Sequence, residues 1–185
     1  MSGSERGEDG TGADGAPARV AVTGTPGTGK STATDLLADE HDVIHLNDRI
    51  KGDEDLWTER DADRDTLVAD LDAVREHLGE WSGVLDSHLA HRFDVDRVVV
   101  LRCHPETIET RLSERGEPDA TAAENAESEA LDVILSEAIA EHGVENVYEI
   151  DTTDRDPAAV ADDIREAIEG EREPSAGTVD FIDYI

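Results

Sequence analysis

Apolar side chains in this chain follow two alternating patterns. Short apolar or β-branched runs, which are typical of buried strands, occur five times, at 19–23, 43–46, 83–86, 97–101 and 147–150. Longer segments repeat their apolar residues every three or four positions, which predicts a helix after the first strand and further helices over 64–81, 105–115, 124–141 and 157–169. This alternation predicts an α/β fold, with a five-stranded parallel sheet between two helical layers.

Polar segments flank and interrupt this pattern. Residues 1–17 hold almost no apolar side chain and predict a disordered acidic tail, which leaves 18–170 as one domain. Residues 47–63 are mostly polar and charged, with Trp57 as the largest apolar side chain, and predict a mobile excursion outside the core. Residues 171–185 predict a second tail, although four of its apolar side chains could dock on the domain: Val179, Phe181, Ile182 and Tyr184.

Charge is the unusual property of the composition. The chain has 47 acidic and 16 basic residues, a formal net charge of −31, and only two lysines, Lys30 and Lys51. We interpret this as adaptation to a salt-rich cytoplasm, because at molar salt the Debye length is roughly 3 Å and surface carboxylates repel one another weakly. Intrinsic disorder is the alternative, but the periodic apolar segments argue against it.

The same composition excludes several classes of function. The sequence has no basic patch large enough for strong nucleic-acid binding and no apolar run near the length of a membrane span. It begins without the apolar segment of a signal peptide, and its single cysteine, Cys103, allows no internal disulfide. These features predict a soluble, cytoplasmic protein.

The stretch from Gly24 to Thr32 fits the phosphate-loop pattern G-x-x-x-x-G-K-[ST] at every fixed position. Its glycines can take positive φ, so that successive backbone N–H groups can converge on a phosphate. Lys30 is expected to reach the β- and γ-phosphates, and the Ser31 hydroxyl to ligate Mg²⁺. A strand before the loop and a helix after it provide the context that such a loop needs.

A second group of candidate residues follows the third strand, where Asp86-Ser87-His88 leads on to His91. A carboxylate at the end of an apolar strand is where phosphate-loop enzymes hold Mg²⁺, so Asp86 is a candidate metal ligand; a helix-capping role is the alternative. His88 could orient a water or a substrate near the γ-phosphate, or be a structural histidine. For His91 a plain surface role is equally compatible with the sequence.

Arg111 and Arg115 lie four residues apart on the helix that leads into the Gly/Pro-containing stretch 116–123. This spacing places both guanidinium groups on one helix face. Because arginine is scarce in this chain, we interpret the pair as cations on a lid that stabilise a transferring phosphoryl group, with a solvated arginine face as the alternative.

With these residues in view, the chain resembles the nucleoside monophosphate kinase superfamily. Within it, the chain is similar to the archaeal and nuclear adenylate kinase family that also acts as an ATPase in ribosome maturation. The resemblance covers about residues 18–170, and three motifs carry it: the phosphate loop, Asp86-Ser87-His88 and the arginines that end at Arg115-Gly116.

The resemblance implies a phosphate-loop kinase fold with a monophosphate-binding excursion over about 45–66 and a short lid over about 114–124. It implies ATP and Mg²⁺ as cofactors and AMP or another nucleoside monophosphate as acceptor. Asp151-Thr152-Thr153 would lie beside the adenine, and Arg115 would close over ATP from the lid. The other residues implied to bind ATP are Gly27, Gly29, Lys30, Ser31 and Thr32.

Members of this family also hydrolyse ATP and take part in late processing of small-subunit ribosomal RNA. They bind the eleventh, platform protein of the small ribosomal subunit, which the resemblance therefore implies as a partner. The chain lacks the arginine of the ordinary adenylate kinase motif Asp-Gly-Phe-Pro-Arg, a departure that bears on phosphoryl transfer more than on hydrolysis. Two alternatives stay open: a small-metabolite kinase, and an ATPase assembly factor with little kinase activity. A GTPase is disfavoured because the guanine-specifying Asn-Lys-x-Asp pattern is missing.

Overall fold

A computed structural model describes residues 18–62 and 66–185 of the chain, so the predicted tail at 1–17 lies outside the described residues. The strands are β1 Arg19–Thr23, β2 Val43–His45, β3 Trp57–Asp61, β4 Thr66–Ala69, β5 Gly83–Asp86, β6 Arg97–Arg102 and β7 Val147–Asp151. The α-helices are α1 Lys30–Asp35, α2 Leu46–Gly52, α3 Leu71–Leu78, α4 Pro105–Glu114, α5 Asp119–Ala130, α6 Val133–His142 and α7 Pro157–Ile168.

The five predicted strands form one parallel sheet in the order β2-β5-β1-β6-β7. Side chains of β1 alternate between its two faces, so that Ala21 packs in the same apolar cluster as residues of α3 and α6, while Val20 and Val22 pack in the cluster that contains residues of α1 and α7. Burial on both faces explains why these strands read as continuous apolar runs. The predicted fold class, an α/β sheet with helices on both sides, is confirmed.

The helix predicted over 64–81 is wrong in its first part. Thr66–Ala69 is the strand β4, which pairs antiparallel with β3, and the helix begins only at Leu71. Asp70 caps that helix, because its carboxylate accepts a hydrogen bond from the backbone N–H of Ala73 at 3.1 Å. Leu67 and Leu71 are four residues apart, which imitates a helical repeat, and the polar sequence of β3 gave no sign of a partner strand.

The expectation that the excursion contributes nothing to the core is also wrong for its described part, 47–62. This segment contains α2, a 3₁₀ turn at Glu54–Leu56 and β3. Ile50 and Leu56 are 5% and 3% exposed and pack in the same apolar cluster as Leu46. Two well-placed apolar residues therefore anchor a segment whose average composition is polar.

The single helix predicted over 124–141 is two helices, because α5 ends at Ala130 and Asp132 takes a left-handed conformation with φ of 54° before α6. Helix α5 begins at Asp119, so the predicted break at 116–123 is shorter than expected. Within the predicted lid, 114–124, only residues 115–118 lie between helices α4 and α5.

The segment 171–185 packs against the domain. The backbone N–H of Ser175 donates to the carbonyl of Val147 at 3.1 Å, and that of Thr178 donates to Glu149 Oε2 at 2.8 Å. Tyr184 Oη donates to the Glu109 carboxylate at 2.8 Å. In the part of the chain that the structure describes, no helix has the length and apolar character needed to pass through a bilayer.

Candidate active site

The phosphate loop joins β1 to α1 and has the predicted backbone. Gly24, Gly27 and Gly29 have φ of 146°, 95° and 89°, a region that favours glycine. Gly24 is also required by space, because a Cβ there would lie 2.6 Å from the carbonyl oxygen of Leu101 on β6. The loop is therefore held closely against the neighbouring strand.

Lys30, the first residue of α1, is buried at 8% exposure beneath this loop. Its Nζ donates to the carbonyl oxygens of Gly24 at 2.8 Å and Thr25 at 3.1 Å. Burial lowers the pKa of Lys30 to about 8, and the negative charges of Asp86 and Glu129 oppose this shift. The loop's own carbonyl groups thus fix the position of Lys30, the lysine that the phosphate-loop motif predicted.

Asp86 ends β5, the neighbour of β1, and this adjacency brings its carboxylate to the start of α1. Asp86 Oδ2 accepts hydrogen bonds from Ser31 Oγ at 3.0 Å and Thr34 Oγ1 at 3.1 Å, and it lies 2.7 Å from His45 Nδ1. All three are side-chain contacts, so the alternative helix-capping role for Asp86 is not what the structure shows. Thr34 and His45 were missed by the sequence analysis.

His45 bridges two carboxylates, since its Nε2 also lies 2.8 Å from Asp35. Burial alone would lower the pKa of His45, but the hydrogen bond to Asp86 and the charges of Asp86 and Asp35 together raise it. The sequence signal that could have identified His45 is its position at the end of β2. Because β2 lies beside β5 and parallel strands end at the same edge of the sheet, His45 lies next to Asp86.

His88 lies just beyond Asp86 and faces the excursion. Its Nδ1 is 3.4 Å from Asn47 Nδ2, and Asn47 Oδ1 accepts a hydrogen bond from Ser87 Oγ at 2.8 Å. Burial lowers the pKa of His88 to about 4, and the nearby charges of Lys30 and Lys51 add to this effect. The imidazole is therefore neutral at pH 7.

His91 is not a surface residue. It is 1% exposed, and its two ring nitrogens each lie 2.8 Å from a partner, Thr23 Oγ1 and Glu137 Oε2. These contacts tie the loop after β5 to the last residue of β1 and to α6. We therefore assign His91 a structural role.

The two predicted arginines both reach the phosphate loop. Arg111 Nη1 donates to the carbonyl of Gly27 at 3.0 Å, and Arg115 lies at the C-terminal end of α4. Both line a small pocket of about 150 Å³ beside Gly29 and Thr32. Of the predicted adenine-side residues Asp151-Thr152-Thr153, Thr152 lines this small pocket, and so does Arg155, which the sequence analysis missed.

A groove shares lining residues with this small pocket and with a larger one. The groove runs over the loop and is lined by Pro26, Gly27, Gly29, Lys30, Ser31, Thr32, Asn47, His88 and Arg115. Arg115 also lines the small pocket, whereas Asn47 and His88 also line the large pocket, of about 470 Å³. The large pocket lies among the excursion, α5 and α6, and its other lining residues include Ile50, Lys51, Leu67, Ala69, Asn125 and Ser128. Two cavities among the described residues thus share lining residues with one phosphate groove.

Ser31 and Asp86 are suited to hold a magnesium ion. Their oxygens are 3.0 Å apart, Ser31 lines the groove, and Mg²⁺ prefers oxygen ligands. Across residues 18–62 and 66–185, no three His, Cys, Asp or Glu side chains come together as a metal site. Mg²⁺ in kinases takes one or two protein ligands beside phosphates and water, which is the number that Ser31 and Asp86 supply.

Comparison with known proteins gives relatives along nearly the whole described chain. A family model described as an AAA domain matches residues 20–132. A protein of Natronomonas pharaonis named "Putative adenylate kinase" is 62% identical over 168 residues, covering 90% of this chain and 99% of its own. Proteins of the same name from Halobacterium salinarum and Methanocaldococcus jannaschii are 60% and 38% identical, each covering 90% of this chain and 99% and 97% of their own.

Solved structures agree on the fold. A gluconokinase from Sinorhizobium meliloti superposes with a TM-score of 0.50 at 18% identity, covering 83% of this chain and 91% of its own. A sulfotransferase from Alicyclobacillus acidocaldarius gives 0.52 at 13% identity, covering 89% and 86%. At such identities these two structures support the fold alone. The relatives named adenylate kinase and the family model, together with the phosphate loop, show that the chain belongs to the phosphate-loop nucleoside monophosphate kinase family and is a phosphotransferase that uses a nucleotide substrate.

Proposed function

We propose that this protein transfers the γ-phosphoryl group of ATP to AMP or another nucleoside monophosphate. The observation that carries the proposal is the pair of pockets that each share lining residues with the groove at Lys30 and Ser31. Direct transfer of a phosphoryl group between two nucleotides requires that the protein hold both nucleotides in line across the phosphate site. Positioning and electrostatic stabilisation then account for most of the catalysis. The relatives named adenylate kinase support AMP as the acceptor.

On the donor side, the small pocket would take the base and ribose of ATP beside Thr152 and Arg155. The backbone of Gly27, Gly29 and Thr32 would bind the phosphates, with Lys30 against the β- and γ-phosphates. Arg111 already bonds to the loop at Gly27, so it would support the loop and add positive charge. Arg115 lines both the small pocket and the groove, where it would stabilise charge on the transferring group.

Ser31 and Asp86 would hold Mg²⁺ in this site. The ion would neutralise the charge that develops on the transferring phosphoryl group. His45 and Thr34 would keep the Asp86 carboxylate in place, since both bond to its Oδ2.

On the acceptor side, the large pocket combines apolar walls with a few polar groups, as small-molecule sites commonly do. Lys51 supplies the positive charge expected beside an acceptor phosphate, and Ile50 and Leu67 supply apolar surface for a base. Asn47 and His88 line both the large pocket and the groove, so they would lie near the point of transfer.

Hydrolysis of ATP is a second candidate activity, and His88 is the observation that favours it. A neutral imidazole whose pKa lies near 4 can accept a hydrogen bond from a water in the groove and orient it toward the γ-phosphate. The same groups would then serve both reactions, with water replacing the acceptor.

The first experiment measures ADP formation from ATP with and without AMP, in molar KCl and with Mg²⁺. We expect AMP to increase turnover well above plain hydrolysis, and the Asp86→Asn and His88→Ala variants to lose most of it. His77→Ala is the matched control, because His77 is exposed on α3. Turnover that does not depend on any nucleoside monophosphate would exclude the kinase proposal and leave the hydrolase.

The acceptor is identified by thermal shift across AMP, CMP, GMP and shikimate. A ligand that binds only the folded protein stabilises it by RT ln(1 + [L]/Kd), so the preferred acceptor gives the largest shift. We expect AMP to rank first. A larger shift with shikimate would favour the small-metabolite kinase.

A role in late maturation of the small ribosomal subunit extends this proposal, and its support is the resemblance carried by Asp86-Ser87-His88. The net charge of −31 suits a partner with a basic tail, such as the eleventh small-subunit protein. A strain whose only copy carries Asp86→Asn is expected to accumulate unprocessed small-subunit RNA. Normal processing in that strain would remove the ribosomal role while leaving the enzyme assignment intact.

A further inference from the structure

Thr25 occupies a position that the phosphate-loop pattern leaves open, directly after Gly24. Its side chain is nonetheless buried, at 1% exposure, and its Oγ1 donates a hydrogen bond of 2.6 Å to Glu129 Oε2. Its carbonyl oxygen accepts hydrogen bonds from Lys30 Nζ at 3.1 Å and from Thr28 Oγ1 at 2.9 Å. A contact that fixes the position of Thr25 therefore also fixes one of the carbonyl groups that bind the Lys30 ammonium.

Glu129 is held rigidly in turn. It is 3% exposed on α5, and its Oε1 accepts from Arg102 Nε at 2.8 Å and from the backbone N–H of Cys103 at 3.0 Å. Three donors on one buried carboxylate leave it no freedom to rotate, and the arginine supplies the opposite charge that a buried carboxylate needs. Glu129 thus presents a fixed acceptor to the phosphate loop.

The same helix borders the large pocket. Asn125 and Ser128, which line that pocket, lie four residues and one residue before Glu129 on α5. Thr25 lines it as well. The hydrogen bond between Thr25 and Glu129 therefore connects the loop that holds Lys30 to the wall of the opposite pocket.

We propose that Thr25 and Glu129 form a positioning pair that sets Lys30 against the transferring phosphoryl group, a role that rests on the proposed phosphoryl transfer. Neither residue touches the reacting atoms. They act through the carbonyl of Thr25, which fixes the lysine ammonium, and through α5, which fixes the distance between loop and acceptor wall. Transfer is sensitive to this geometry, because a displacement of about 1 Å can cost on the order of a hundredfold in rate.

The test compares Thr25→Val, which keeps the shape but removes the hydroxyl, with Thr25→Ser, which keeps the hydroxyl. Thr23→Val is the matched control: Thr23 is two residues upstream, is 0% exposed, and its Oγ1 forms a hydrogen bond of 2.8 Å with His91 Nδ1 instead. We expect kcat to fall about tenfold in Thr25→Val with the KM for AMP within about twofold, and Thr25→Ser to retain wild-type values. Thr23→Val is expected to melt earlier than the wild type but to keep its kcat.

A kcat for Thr25→Val within about twofold of wild type would overturn the proposal. An equal loss in Thr25→Ser or in Thr23→Val would overturn it too, because the effect would then follow packing or stability. If Thr25→Val does not fold, Thr25→Ala removes the same hydroxyl without adding apolar volume and gives the same comparison.

A second measurement separates this proposal from the function it rests on. The dissociation constant of ATP, measured with no acceptor present, is expected to rise at least about threefold in Thr25→Val and to stay unchanged in Thr25→Ser and Thr23→Val. This readout needs no phosphoryl transfer. If the wild type transfers nothing to any monophosphate, the proposed function fails. The ATP affinity then tests the positioning of Lys30 by itself, and an unchanged affinity in Thr25→Val would refute it.

Discussion

Replacing Arg102 by methionine is expected to remove a large part of the protein's stability. Arg102 is 1% exposed and reaches three carboxylates, with Nε 2.8 Å from Glu129, Nη1 2.5 Å from Glu149 and Nη2 2.5 Å from Asp132. Its guanidinium also lies over the ring of Phe181 at 5.5 Å. Methionine keeps an unbranched apolar stem but is shorter and has no charge, so it would leave the buried carboxylates of Glu129 and Glu149 without their counter-ion.

The expected loss is about 3–5 kcal/mol, the usual effect of removing one partner from a buried ion pair. Asp132 adds little to this figure because it is 35% exposed and water can solvate it. Against a total stability of about 5–15 kcal/mol for a native domain, such a loss is a large fraction. The Arg102→Lys variant should lose less, since it keeps the charge, but one ammonium cannot serve the same three directions as a guanidinium.

Urea unfolding followed by circular dichroism, in low salt and in molar KCl, measures this loss. Arg172→Met is the control, because Arg172 is 30% exposed and its contacts with Asp163 and Glu166 are long, at 3.4 and 3.5 Å. The control should lose under about 1 kcal/mol, and salt should screen that away, whereas the Arg102→Met loss should persist. A loss below about 1 kcal/mol for Arg102→Met, or one that disappears in KCl, would refute the reasoning.

Three further predictions concern the phosphate site. The pKa of His88 is lowered from 6.5 to about 4, so the unfolded chain gains a proton at this residue as the pH falls through that range and the folded chain does not. The wild type should therefore lose stability relative to His88→Asn between neutral pH and about pH 4. Equal losses of stability for the two proteins in urea titrations would contradict this. Gly24→Ala should lower both melting temperature and ATP affinity, measured by calorimetry, because its Cβ would lie 2.6 Å from the Leu101 carbonyl; a wild-type melting curve would contradict it. The KM for ATP should fall several-fold as KCl rises, over the range in which circular dichroism shows a folded protein. The reason is that salt screens the repulsion between a chain of charge −31 and an anionic nucleotide. A KM that rises with KCl would instead show that attraction to the site's own cations dominates.

The parts of the fold and site that the sequence predicted are those with local signals. The five parallel strands are apolar runs, and the phosphate loop with Lys30 is a contiguous motif whose glycines have the required φ. The position of Asp86 could be predicted because the carboxyl ends of parallel strands lie at the edge of the sheet where ligands bind. Arg111 and Arg115 followed from helical spacing, and both do line one pocket.

What the sequence did not predict depends on partners far away in the chain. The strand β4 was taken for helix because its partner β3 is polar and Leu67 happens to lie four residues before Leu71. Thr25 and Glu129 meet across 104 residues, and no short pattern marks either of them. His45 was passed over because its role depends on β2 lying beside β5, a neighbourhood that only the strand order reveals.

The hydrogen bond between Thr25 and Glu129 also has a consequence for how the protein is made. Its two residues are 104 positions apart, so the ribosome must add 104 residues after Thr25 before Glu129 has been synthesised and can form the bond. At synthesis rates of about 5–20 residues per second, this takes roughly 5–20 s. During that interval the glycine-rich loop lacks the contact that fixes the Thr25 carbonyl, and ATP added to a stalled nascent chain that ends before α5 should find no formed site.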